Sequence, residues 1–307
     1  MGNKQNSRTF LLIILFFLLI PGISLRSLET GFEAAVGSLN FDPDRTPEDT
    51  DFSPYYLPVE FTVFASYPLD ENMNLDITFS RDKILRNVLY GNFSFSRDYF
   101  SLKVGPFLGV GNSSETPIKS GLTATLEIRS PGSVFFRLRS GRSLNLLNIF
   151  QGEALSSSVS SKGDFIQEDN EVCLGLYMHN TIVSLFVQSK IFTKNTNTYG
   201  SVSDSQTDYG VRSEVFQKNI PFHITLSFFY RDLTRYFEET TPSSEHTLGS
   251  LIFGSRVEYF FNPSFSMHGE LESSVYSFGL NDLIGEFAGT DYLFTVRIGF
   301  RYRWDFS

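Results

Sequence analysis

The chain has 307 residues, 19% of them charged, and a formal net charge of −9. So acidic a balance argues against nucleic acid as a partner, and the single cysteine, Cys173, excludes an internal disulfide and a cysteine metal cluster. Aromatic residues make up 16%, with 33 phenylalanines, yet the mean hydropathy is −0.09, so the apolar residues are dispersed among polar ones.

The exception to that dispersal opens the chain. Lys4 and Arg8 form a basic head, Phe10–Ile20 is an unbroken apolar run of eleven residues, and Pro21 and Gly22 break it. Gly22 and Ser24 are the small residues expected at positions −3 and −1 of a cut after Ser24. This order of parts reads as a secretory signal peptide over residues 1–24. Eleven residues are too few for a spanning helix, which needs about 20. No cysteine stands near the cut to carry a lipid anchor. Cleavage leaves residues 25–307 with 23 bases against 34 acids, a net charge of −11. Such a mature chain either is soluble or crosses a membrane as strands.

From there one pattern repeats: about ten residues of alternating apolar and polar character, then turn residues. Fourteen such segments are read, at 30–40, 57–66, 73–81, 86–96, 99–111, 118–129, 133–141, 170–178, 182–192, 207–217, 222–231, 248–261, 265–277 and 291–306. Leu75, Ile77 and Phe79 oppose Asp76, Thr78 and Ser80; Leu122, Ala124, Leu126 and Ile128 oppose Thr123, Thr125, Glu127 and Arg129. The last segment sorts Phe294, Val296, Ile298, Phe300, Tyr302, Trp304 and Phe306 against Thr295, Arg297, Gly299, Arg301, Arg303 and Asp305. Successive side chains of a strand point to opposite faces, so one face is apolar and the other ionic.

Connections alternate between short (such as 179–182 and 262–264) and long (41–56, 142–169, 193–206, 232–247 and 278–290). Short periplasmic turns and long external loops are the habit of outer-membrane barrels. The phasing puts both termini on the periplasmic side, although 82–85 and 112–117 are short for external loops. Aromatics gather at strand ends, as interfacial girdles require. The expected fold is all-β: a transmembrane antiparallel up-and-down β-barrel of about fourteen strands (twelve to sixteen).

Phe300, Tyr302, Trp304 and Phe306 resemble the terminal strand of bacterial outer-membrane β-barrel proteins, where alternating aromatics ending in Phe act as the signal to the barrel-assembly machinery. This chain departs from the pattern in that Ser307 follows Phe306. A count of fourteen is similar to that of small monomeric porins and of the long-chain fatty-acid transporter family. The second group carries an N-terminal hatch with an Asn-Pro-Ala motif, which does not occur at this N-terminus. The resemblance implies outer-membrane lipid, periplasmic chaperones and the assembly machinery as partners during biogenesis, and localisation in the bacterial outer membrane after export through the inner membrane.

Fourteen tilted strands give a backbone diameter of roughly 28 Å and an opening on the order of 10–15 Å unless a loop fills it. Charged inward positions include Arg137, Arg139, Arg297, Arg301, Arg303, Glu270 and Glu272. Arginines on strands seven and fourteen, on opposite walls, would favour anions; alternatively each pairs with neighbours such as Glu270 and Glu272 and selects nothing. Leu144, Leu147 and Phe150, at helical spacing after Ser143, mark loop 142–169 as a candidate constriction, against the alternative that it packs on the rim. The acids of 41–56 lack the spacing of a calcium loop and read as a solvated face. Ser266, His268 and Glu270 are the one run with catalytic residue types, but i and i+2 neighbours on a strand are about 7 Å apart, too far for direct hydrogen bonds. No catalytic, metal or cofactor site is expected. The sequence favours a porin-like passive channel for small solutes over a transporter of hydrophobic compounds or a structural or adhesive barrel acting through its loops.

Overall fold

The computed structural model describes residues 27–37, 59–110, 118–130, 134–143, 164–196, 200–216, 220–238, 244–278 and 294–305. The segment read as a signal peptide, most of the long loops and Phe306 lie outside these residues. Fourteen strands occupy nearly all of them: β1 (Ser27–Gly37), β2 (Val59–Pro68), β3 (Met73–Asp82), β4 (Arg86–Arg97), β5 (Phe100–Val110), β6 (Ile118–Arg129), β7 (Val134–Ser143), β8 (Phe165–Met178), β9 (Thr181–Thr196), β10 (Gly200–Phe216), β11 (Phe222–Phe237), β12 (Ser244–Asn262), β13 (Phe265–Phe278) and β14 (Phe294–Asp305).

Each strand pairs antiparallel with its sequence neighbours, and β14 closes on β1 with Phe32 opposite Phe300 and Ala35 opposite Arg297. Closure removes both sheet edges, which otherwise leave unpaired backbone groups. Tight turns define one end of the barrel, and both described termini lie there. Asp70 accepts from the backbone N–H of Asn72 and Met73, and Asn262 from that of Ser264, each shaping a turn. In the β8–β9 turn His179 adopts a left-handed conformation (φ 57°). We call this the turn end and the other the loop end.

The alternation sorts side chains as their chemistry requires. Phe32, Val63, Phe93, Val104, Leu122, Leu185, Phe228, Leu271 and Ile298 point outward and are more than a third exposed. The facing charges of the sequence point inward. On β11 the outward residues run apolar from Phe222 to Tyr230; eight steps of about 3.4 Å at a tilt near 40° give a height of roughly 21 Å, against about 25 Å for the apolar band of membrane barrels. An aromatic chain caps this band at the turn end, Phe222–Tyr259–Phe261–Phe265–Tyr302–Trp304, with ring centroids 4.6–6.3 Å apart. Tyr209 and Tyr230, 5.1 Å apart, mark its upper limit.

The wall has unequal height. β1–β7 have 10–12 residues, whereas β8–β12 have 14–19. Beyond the tyrosine pair the tall wall turns polar outside. Ser140 bonds Asn170, Arg142 pairs with Glu168, Thr207 with Ser189, Thr193 with Ser203 and Thr234 with Thr247. Groups that hydrogen-bond one another sideways need water or headgroups beside them, not hydrocarbon. The upper third of this wall therefore stands clear of the apolar band.

Candidate functional site

The inward face is an ionic lattice. On one wall Arg137 bonds Glu127 at 2.9 Å and lies 3.6 Å from Glu171, while Arg139 reaches Asp169 at 2.9 Å and Glu171 at 3.5 Å. On the opposite wall Arg297 meets Glu270 at 3.1 Å, and Glu29 takes Arg301 at 3.2 Å and Arg303 at 3.4 Å. Arg256 bridges Glu270 and Glu33, both at 3.4 Å. The arginines on β7 and β14 do face each other across the ring, but each already holds a carboxylate. Glu272 pairs with Arg231 of β11 at 3.0 Å, not with an arginine of β14. Such ladders cross-link neighbouring strands, and their charges are largely cancelled before a solute arrives.

Phenylalanines fill the gaps between charges. Phe135, Phe186 and Phe229 point inward and are buried, each with a guanidinium over its ring: Arg137 at 5.8 Å, Arg212 at 4.6 Å and Arg231 at 5.1 Å. Cation–π contacts of this kind are worth about 0.5–2 kcal/mol according to desolvation. Phe135 lies flat on the wall because its partner across the ladder is Gly175; a Cβ there would meet the ring at 2.1 Å.

The lumen is crossed by one of the two connections that are short for external loops, the β3–β4 connection. Residues 83–85 form a tight turn that folds inward. Asp82 accepts from the N–H of Ile84 at 2.8 Å and of Leu85 at 3.0 Å. Arg86 closes the turn at φ 64° and donates to the carbonyl of Lys83 at 2.7 Å. A non-glycine residue there is strained by about 1–2 kcal/mol and persists only when its surroundings hold it. They do: Arg86 also donates to Asp204 on β10 at 3.1 Å, and Asp204 accepts from Arg235 of β11 at 2.6 Å. Asp82 is joined to Lys190 of β9, and the carbonyl of Leu85 accepts from Gln167 of β8. Ile84, 1% exposed, enters an apolar cluster with Phe192, Phe229, Leu233 and Ile252. Three polar links and one apolar anchor thus fasten the tip to the far wall.

The tip and the wall charges partition the lumen. A cavity of about 430 Å³ lies against β1–β8, bounded by Asp82, Leu85, Lys103, Arg137 and Glu171. A second, of about 540 Å³, lies against β10–β14, bounded by Lys83, Arg212, Arg231, Arg256 and Glu272. Glu60, Gln188, Lys190 and Arg297 line both, so the two chambers meet at a waist between β2 and β14 on one side and β9 on the other. The open bore expected from strand number is therefore a divided one, because the β3–β4 tip occupies its middle.

The remaining sequence candidates are placed as follows. Leu144, Leu147 and Phe150 lie outside the described residues. Phe300, Tyr302 and Trp304 all point outward on β14, with Trp304 donating to Thr30 at 3.2 Å. Ser266 donates to Glu258 at 2.7 Å and His268 faces Glu33 at 3.1 Å, so the hydroxyl and the imidazole are not joined to each other. Sequence reasoning missed the tip, Asp204, Asp208, Arg231 and Arg235. The one available signal was Asp82-Lys-Ile-Leu-Arg86, a turn with apolar residues at its centre and charges at its ends.

A closed antiparallel barrel with a lipid-height apolar exterior and an ionic interior defines an outer-membrane β-barrel. Solved structures to which this chain is similar belong to the same class. They include an outer-membrane channel from Pseudomonas putida F1 (9% identity, 91% of this chain and 95% of that one, TM-score 0.48). In-vitro folded OmpT, an outer membrane protein of Vibrio cholerae, gives 10% identity over 91% and 96%, with a TM-score of 0.43. A porin gives 9% identity over 90% and 100%, with a TM-score of 0.41. No protein-family model matches the sequence, and no curated protein does.

Proposed function

We propose that the protein is a passive channel for small hydrophilic solutes, without chemical conversion of them. In this reading it is exported through the inner membrane with residues 1–24 as its signal, handed by chaperones to the assembly machinery through the β14 aromatics, and inserted with the loop end outward. The observation that carries the proposal is the pair of contiguous chambers, walled by charge, inside an apolar exterior. Charged and polar side chains outnumber apolar ones in the lining of both chambers, so a hydrophobic cargo meets polar groups in each. That favours water-soluble solutes over hydrophobic ones.

The test is single-channel recording of refolded residues 25–307 in planar bilayers. Discrete, ohmic conductance steps are expected. Barrels that are folded by heat-modifiable migration yet carry no current would overturn the proposal.

A further inference from the structure

Most of the charges around the β3–β4 tip are held in ion pairs, and Lys83 is not. Arg86 and Arg235 share Asp204, Lys190 holds Asp82, and Arg231 is clasped by Asp208 at 2.8 Å and Glu272 at 3.0 Å. Lys83, at the apex between Asp82 and Arg86, projects into the 540 Å³ chamber. Among the described residues no carboxylate stands within ion-pair distance of its ammonium. Burial, and then the Arg231 guanidinium beside it, hold that ammonium below its ordinary range; Glu60, Glu272 and Asp208 act in the opposite sense at longer reach. Asp208 and Glu272 are already engaged by Arg231, and Glu60 stands beyond ion-pair distance, so this half-desolvated cation lacks a counter-ion in contact with it, and a mobile anion supplies one.

We propose that Lys83 is the anion-selecting residue of the lumen, taking small anions such as halide, phosphate or a simple carboxylate from solution into the larger chamber. This deepens the channel reading and rests on it. Arg137, Arg139, Arg231, Arg256, Arg297 and Arg301 do not fill this role because each holds a carboxylate of the wall, and Arg212 is held over the Phe186 ring at the wall, away from the middle of the bore. Lys83 sits instead on a turn that crosses the bore, where a solute entering that chamber comes within reach of its field. The opposing group is Glu60 at the waist, for which no ion-pair partner exists among the described residues.

The experiment measures reversal potential across planar bilayers in a KCl gradient. The wild-type barrel is expected to prefer chloride over potassium. Lys83→Gln lowers the permeability ratio by at least about twofold and Lys83→Glu lowers it further, while Glu60→Gln raises it. A cation-preferring wild type, or an unchanged ratio in a conducting Lys83→Gln channel, overturns the proposal. Failure of the channel reading is separable from failure of this one: if folded wild-type barrels carry no current, crystals grown in sodium bromide still decide the site. An anomalous bromide peak within hydrogen-bond distance of the Lys83 Nζ, lost in Lys83→Gln, supports it. Its absence from wild-type crystals rejects it.

Discussion

Arg86 and Asp204 are 118 positions apart in the chain and 3.1 Å apart in the lumen, joined across the bore between β4 and β10. Their side chains are each 5% exposed. The pair is asymmetric, because Asp204 also neutralises Arg235, whose side chain is 7% exposed. Asp204→Ala therefore removes the carboxylate shared by two buried guanidinium groups, whereas Arg86→Ala leaves Asp204 bound to Arg235. Breaking a buried pair by removing the shared member costs about 3–5 kcal/mol, so Asp204→Ala is expected to lower the urea midpoint of unfolding markedly more than Arg86→Ala. Both variants remove one of the four anchors of the tip, loosening it, and should raise single-channel conductance. Equal destabilisation, or unchanged conductance in both, would show that the link does not hold the turn in place.

The outward polarity of the tall wall fixes how deep each residue sits. Leu226 and Thr234 both point outward on β11, but Leu226 lies within the apolar run and Thr234 bonds Thr247 above it. In a Cys173→Ala background, a fluorophore on Leu226→Cys should be quenched by lipids brominated on the acyl chain. The same fluorophore on Thr234→Cys should escape quenching. Equal quenching would put the whole of β11 in hydrocarbon and remove the projecting rim.

That rim also explains where the sequence was legible and where it was not. The strand segments read from β2 to β7 agree with the observed ones within a few residues, because an apolar outside beside an ionic inside produces clean alternation. The segments read at 170–178, 207–217 and 222–231 stop short of Phe165, Gly200 and Phe237, the observed limits of β8, β10 and β11. Past Asn170, Thr207 and Asp232 the outward residues become polar like many inward ones, and the two-residue signal vanishes while the hydrogen-bonded ladder continues. Inward charges such as Arg137 and Glu270 were legible from alternation alone. Their partners were not, since the choice of Arg231 for Glu272 depends on reach across an intervening strand. The inward fold of Asp82–Arg86 was the least legible, being fixed by contacts with β8, β9 and β10, far along the chain.

The same sorting of faces gives a prediction about charge placement. Leu271 is half exposed on the outer face of β13, within the apolar band. An arginine there faces hydrocarbon, at a cost of about 2–4 kcal/mol near mid-depth. Thr225 faces the larger chamber on β11, opposite Glu214 on β10. A lysine at 225 gains the Glu214 carboxylate on one side, meets Arg256 on the other and stays in water, so Thr225→Lys should change stability by less than about 1 kcal/mol. Unfolding from lipid vesicles in guanidinium separates the two. If Leu271→Arg were as harmless as Thr225→Lys, the apolar exterior would not be a lipid face.

Gly175 and Phe135 make the final case, because here the width of the lumen depends on a missing side chain. The ring of Phe135 covers Gly175 so closely that a Cβ would approach Cε1 to 2.1 Å, and Arg137 completes the stack over the other side. Gly175→Val must push the ring toward the smaller chamber or strain the ladder, an overpacking expected to cost about 1–3 kcal/mol. It should also lower single-channel conductance, since the ring moves beside Arg137, which lines that chamber. Phe135→Ala alone opens a gap on the wall. In that background Gly175→Val fills the gap instead of creating a clash, and strand propensity favours valine over glycine. The double variant should therefore be at least as stable as Phe135→Ala, giving a coupling energy opposite in sign to the cost of Gly175→Val alone. Additive effects in this cycle would mean that the ring does not rest on the glycine, and that the bore owes its width to something else.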